Sequence, residues 1–143
     1  MIQQNACNIF SYNLLRGAED FSAVSPYVYK IALYNANANL GPDTQAYTAD
    51  NEVTGAGYDP GGQELQQIAP AYYNGAAYIS FDPVQWTNSS FTTRGALIYN
   101  STTGAAVCVL NFGSDKTTNN QTFTISFPLA NATDAIIRIA TPQ

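Results

Sequence analysis

Between residues 91 and 140 the chain sets down apolar runs of strand length, FTTRGALIYN, AAVCVLNF, QTFTISFPL and AIIRIA, separated by the polar breaks STTG, GSDKTTNN and ANATD. In the third run Phe123, Ile125 and Phe127 alternate with Thr122, Thr124 and Ser126, the period of two that turns one face of a strand to a core and the other to water. AAVCVLNF is apolar on both faces, which suits a central strand covered by an opposing sheet and, behind, by a helix, loop or neighbouring subunit. The stretch therefore reads as consecutive antiparallel strands.

The rest of the chain extends this pattern. YVYKIALY, residues 27–34, alternates Tyr27, Tyr29, Ile31 and Leu33 against Val28, Lys30, Ala32 and Tyr34, and AAYISF, residues 76–81, is a further strand followed by Pro83 and Trp86. Apolar density falls between residues 35 and 70, where NANANLGPDTQ and GYDPGGQ supply turn residues; short strands are expected there at 46–48 and 65–69. A loop-rich excursion on a β scaffold is where a contact surface is expected. Cys7, Phe10 and Leu14 fall at helical spacing, with Asn5 as a candidate cap and Gly17 as a stop, so a short helix is expected over 7–15 within an N-terminal arm, residues 1–26. Seven or eight strands with turns at this spacing predict an all-β antiparallel sandwich or jelly roll, one domain over residues 1–143.

Bulk properties limit the function. The chain is 45% hydrophobic and 13% aromatic but only 10% charged, well under the roughly 25% of ordinary soluble domains. A neutral polar surface has little electrostatic reason to stay dispersed, and fits a protein packed against its own copies or a partner. The formal charge of −5, with Arg16, Lys30, Arg94, Lys116 and Arg138 as the fixed cations, argues against nucleic-acid binding, which needs clustered Lys and Arg. The N-terminal sequence lacks the pattern of a secretory signal, and no run approaches the roughly 20 apolar residues of a membrane helix. Neither export nor a membrane is expected. Cys7 and Cys108 read as reduced, buried thiols.

Candidate sites are few. With no histidine in the chain, Ser-His-Asp and Cys-His catalysis and histidine-bearing zinc sites are excluded. Asp50, Glu52, Asp59 and Glu64 share one loop-rich segment without the spacing of an EF-hand, and read as solvated loop carboxylates in preference to a calcium site or a glycosidase acid pair. No metal and no cofactor is expected, nor an enzyme. Ten tyrosines and Trp86 could form a sugar-stacking platform or pack in a core or subunit interface. Tyr72 and Tyr73 are adjacent and so point to opposite faces of a strand, which weakens a shared platform. Arg94, an odd charge before the apolar ALIY, is either a salt-bridged surface residue or an interface anchor. The interface candidates are Arg94, Trp86, Tyr72 and Tyr58. Sequons at Asn88, Asn100, Asn120 and Asn131 follow from the richness in Asn and Thr.

The series YKIALY, AYTADNEVTGAGYDPGGQ, FTTRGALIYNSTTGAAVCVLNFGSDKT, FTISFP and AIIRIA resembles small virion structural proteins of tailed bacteriophages, over nearly the whole chain from CNIFSYNLL onward. The long third block is its most specific part. The resemblance implies a particle component without enzymatic activity, assembled in the cytoplasm of the infected bacterium and residing in the virion. Its partners would be the major capsid protein or other virion proteins and further copies of itself. A capsid decoration or cement protein is the leading expectation. The alternatives are a tail, head-tail connector or fibre-associated protein, and a carbohydrate-binding adhesin module recognising the host surface.

Overall fold

The computed structural model describes residues 1–140 and is an all-β antiparallel sandwich with one short helix. Its elements are β1 (Asn5–Ala6), α1 (Asn8–Leu15), β2 (Tyr29–Tyr34), β3 (Gln63–Glu64), β4 (Gln67–Tyr73), β5 (Ala76–Phe81), β6 (Val84–Ser89), β7 (Thr92–Asn100), β8 (Ala106–Thr117), β9 (Gln121–Ile125) and β10 (Ile137–Ala140). Five of them form a sheet in the order β1-β8-β7-β2-β3, three form β10-β5-β4, and two form β6-β9. One contiguous core joins the sheets: Ile31, Leu33, Leu97 and Ile98 from the first meet Ile79 and Phe81 from the second and Val84 and Trp86 from the third.

β7 lies in the middle of the five-stranded sheet, and its residues from Gly95 to Asn100 are all buried. Beside it, β8 is buried on both faces over Ala106–Val109, with α1 packed on it, as its doubly apolar sequence requires. α1 starts at Cys7, whose backbone is extended and whose side chain makes no capping bond. Asn5 is not the cap; it pairs with Val109 in β1. The helix ends in a Schellman arrangement, Gly17 N–H donating to Leu14 O and Ala18 N–H to Asn13 O, and Phe10 pins it to the core by an edge contact with Phe21.

Only the first of the four closing runs pairs with its successor. β7 and β8 form a hairpin, but β9 crosses to pair with β6, setting Trp86 opposite Phe123, and β10 pairs with β5. Thr118 makes that corner. Its backbone N–H donates to Phe91 O, and its hydroxyl accepts from Phe91 N–H and Ser89 Oγ, so the chain is turned out of the five-stranded sheet. GSDKTTNN is accordingly not a turn throughout: β8 continues to Thr117, bulging between the Gly95–Asn111 and Thr93–Lys116 pairs. In the excursion, Ala46 makes an isolated bridge to Ala105 and not a strand, while the strand expected at 65–69 starts two residues later, as β4 from Gln67.

β4 and β5 form a projecting hairpin. Its turn, Asn74-Gly75, has positive φ at both residues (52° and 81°), the type I′ geometry that matches strand twist. At the other end of the excursion Gly62 permits a close approach, for a Cβ there would lie 1.8 Å from Ile31 O. That contact seats the loop on β2.

Candidate functional site

Four interface candidates occupy three different environments. β6 turns Val84 and Trp86 inward, so Trp86 is only 1% exposed, with Tyr58 lying nearly parallel to its ring at 6.4 Å and Phe123 at 5.9 Å. Tyr58 is itself 7% exposed. Neither ring is presented to a partner or a sugar by this chain, which corrects the expectation for both and removes Trp86 as the stacking residue of an adhesin. Arg94, on β7 opposite the β8 bulge, makes an ion pair with Asp115 at 2.9 Å and remains partly exposed. Tyr72 stands 87% exposed on the arm.

Glu52 departs most from its sequence reading. Asp50, Asp59 and Glu64 are exposed, but Glu52 is buried. Its Oε1 accepts from Tyr47 Oη at 2.5 Å, and its Oε2 accepts from Tyr58 Oη and, at 2.8 Å, from Gly61 N–H. Tyr99 completes the clamp, stacking on Tyr47 and donating to Gly61 O. Burial first, then the neighbouring carboxylate, pushes the Tyr47 and Tyr58 hydroxyls well above the ordinary phenol range. Both stay protonated donors. The carboxylate is thus engaged in holding the excursion, with each oxygen taken. The signal available in the sequence was the pair of tyrosines flanking one acid, Tyr47 and Tyr58 on either side of Glu52.

A second buried acid, Glu19, accepts through Oε1 from Tyr29 Oη and Asn100 Nδ2. Asn100 is fully buried, and its Oδ1 accepts from Thr102 N–H and Thr103 N–H at the β7–β8 turn. That sequon is closed to modification in the folded chain. Among the described residues, no group of three or more His, Cys, Asp or Glu could hold a metal ion, and no helix is long and apolar enough to cross a membrane.

What the fold leaves unpartnered is the arm. From Gln67 to Phe81 the sequence carries no charged residue, and Ile68, Tyr72 and Tyr73 are exposed at 39%, 87% and 72%. β4 is an edge strand, interrupted by Pro70 and by a bulge between Ile68 and Ala71, so its outer edge is a poor template for strand addition. Its side chains remain available. Across the three-stranded sheet, Tyr72, Ala77 and Ile139 form one exposed row on a single face. That face is the outward continuation of the one that buries Ile79 and Phe81.

Beside the row runs an apolar groove of about 820 Å³ between α1, β8 and the β9–β10 segment. Leu14, Leu15, Leu110, Phe112, Phe127 and Ile139 line it, and Asp134 and Arg138 are the charged residues at its border. No family model matches this sequence, and neither a curated protein nor a solved structure matches it.

Proposed function

We propose that this protein is a virion structural component, a capsid decoration or cement protein that binds an assembled shell and stabilises it. The observation that carries the reading is the uncharged arm, whose outer half exposes Tyr72 and Tyr73, with Ile139 exposed on the strand beside it. A few strands projecting into water are marginal unless an apolar face is covered, so the arm has its natural place against another protein. The resemblance of FTTRGALIYNSTTGAAVCVLNFGSDKT and the blocks around it to small virion structural proteins of tailed bacteriophages suggests that partner's context. Glu52 and its tyrosines support the same reading, because they lock a loop region onto a scaffold and engage both Glu52 oxygens in doing so.

The mechanism is mass action: a protein that binds only the assembled shell lowers the free energy of that shell in proportion to occupancy. Quantitative mass spectrometry of purified particles tests it. Hundreds of copies per particle fit shell decoration, six to a few dozen fit a tail or connector position, and absence from mature particles refutes a virion role. Particles lacking the protein are expected to package DNA yet lose resistance to heat, and unchanged heat resistance would count against cementing.

A further inference from the structure

The groove and the exposed row are one continuous apolar face, for Ile139 belongs to both. We infer that this face is a self-association surface, where each copy of the chain lends its β4–β5 arm to the groove of the next. The inference deepens the assembly reading above in that it uses the same arm, but it does not depend on a virion.

Three observations favour a second copy as the occupant. The first is charge. The chain carries a net −5, but the arm has no charge and the groove has one acid and one base, so two copies meet at this face without like-charge repulsion.

The second is shape. The same molecule carries a convex aromatic projection, Tyr72 with Tyr73, and a concave apolar channel walled by α1 and β10, the pairing that a heterologous contact between identical chains requires. The groove lacks the convergent buried polar groups that orient a small ligand. The buried side-chain atoms without a hydrogen-bond partner among the described residues, Glu19 Oε2 and Trp86 Nε1, belong to residues that do not line it.

The third is area. The accessible surface is 7811 Å², and a standard interface takes about 800 Å² per partner, about a tenth of such a surface. Tyr72 and Tyr73 can each bury about 150–250 Å². Ile68 and Tyr73 pair with Ser80 and Ala76 and so face away from the row of Tyr72, Ala77 and Ile139; the contact approaches that scale when the groove, with Leu15, 90% exposed, on its far bank, encloses both faces of the arm.

The test is sedimentation equilibrium of the purified full chain over a wide concentration range, with melting curves as the check on folding. The wild type is expected to self-associate. Tyr72→Asp on the arm and Leu15→Asp on the opposite bank should each raise the dissociation constant about thirty-fold or more, the loss that goes with a hot-spot contact. Val24→Asp, at an 89% exposed position that does not line the groove, should leave it unchanged. A wild type that stays monomeric at every concentration overturns the inference, as does an association that survives both substitutions. A monomer whose groove takes up an apolar dye also overturns it, by assigning the face to another partner. None of these outcomes depends on whether the protein is found in particles.

Discussion

Tyr58 donates its hydroxyl hydrogen bond to the buried carboxylate of Glu52 and accepts one from the backbone N–H of Leu33 in the heart of β2. One phenol thereby joins a loop acid to a core strand. The excursion that begins after β2 is held at this point, and Val53 N–H to Leu33 O and the close approach of Gly62 to Ile31 extend the seam on either side. The order of this loop thus comes from polar groups satisfied at the sheet surface, since it has little strand pairing of its own.

Removing that hydroxyl should therefore be costly although no volume is lost. Tyr58→Phe leaves the Leu33 N–H buried without an acceptor and takes one donor from Glu52, a change of about 1–3 kcal/mol in unfolding free energy. Tyr12→Phe, on the exposed side of α1, is the comparison and should fall within about 0.5 kcal/mol of wild type. Urea denaturation of the two variants decides the matter. Equal midpoints would mean that Glu52 and Tyr58 merely lie near each other.

Glu19 makes stability depend on pH in a direction opposite to that of most paired carboxylates. Burial raises its pKa above the ordinary glutamate value, with the Asn100 and Tyr29 hydrogen bonds and the Arg16 charge pulling part of the way back. The folded chain then holds this proton at a pH where the unfolded chain has released it. Stability from this group is full below the unfolded pKa, falls as pH rises through the window up to the folded pKa, and is constant at its lower level above. Glu19→Gln abolishes the titration, so between pH 4 and pH 7 the wild type should lose stability relative to the variant. A difference that is flat, or that moves the other way, would show that the acid titrates normally in the fold.

The alternation of Phe123, Ile125 and Phe127 and the double apolarity around Cys108 were enough to read a β scaffold, because side-chain period and burial are local properties. Strand partners are not. Whether β9 returns along β8 or crosses to β6 depends on Thr118 meeting Phe91 and Ser89, contacts that no window of the sequence contains. For Trp86 the sequence left core, interface and sugar platform open, since Pro83 and the polar TNSS mask the strand that turns it inward. Glu52 looked like its exposed neighbours for the same reason: what distinguishes it is donors brought from Tyr47, Tyr58 and Gly61 by folding. Tyr72 lies on a strand exposed along nearly its whole length, so no long-range contact decides its environment.

The two thiols should be silent in the native state. Cys7 and Cys108 are free and buried: Cys108 pairs with Ala6 at the end of β1, and Cys7 follows Ala6 at the start of α1. Burial pushes the thiol of Cys7 up to about 11 and that of Cys108 up to about 12. At pH 8 an aromatic disulfide reagent should titrate almost no thiol in the folded protein and two equivalents in denaturant. Rapid native labelling of either cysteine, or a molecule that titrates no thiols when unfolded, would contradict this placement.

Trp86, Arg94 and Tyr72 should separate cleanly when each is cut to alanine. Trp86→Ala empties the space between Tyr58 and Phe123 and should cost about 3–5 kcal/mol. Arg94→Ala breaks a partly exposed pair with Asp115 and should cost no more than about 1 kcal/mol, less at high salt. Tyr72→Ala removes a ring that touches little and should change unfolding by about 0.5 kcal/mol or less. Binding to an assembly should rank the last two in reverse, with Tyr72→Ala and Arg94→Ala reducing incorporation more than they reduce the melting temperature. The lone tryptophan supplies an internal check on the wild type: buried in the core, it should emit as an apolar-shielded indole in the isolated chain and shift to the red only on unfolding. Emission that is already red in the native chain, or that shifts to the blue on assembly, would place Trp86 at the interface and not beneath it.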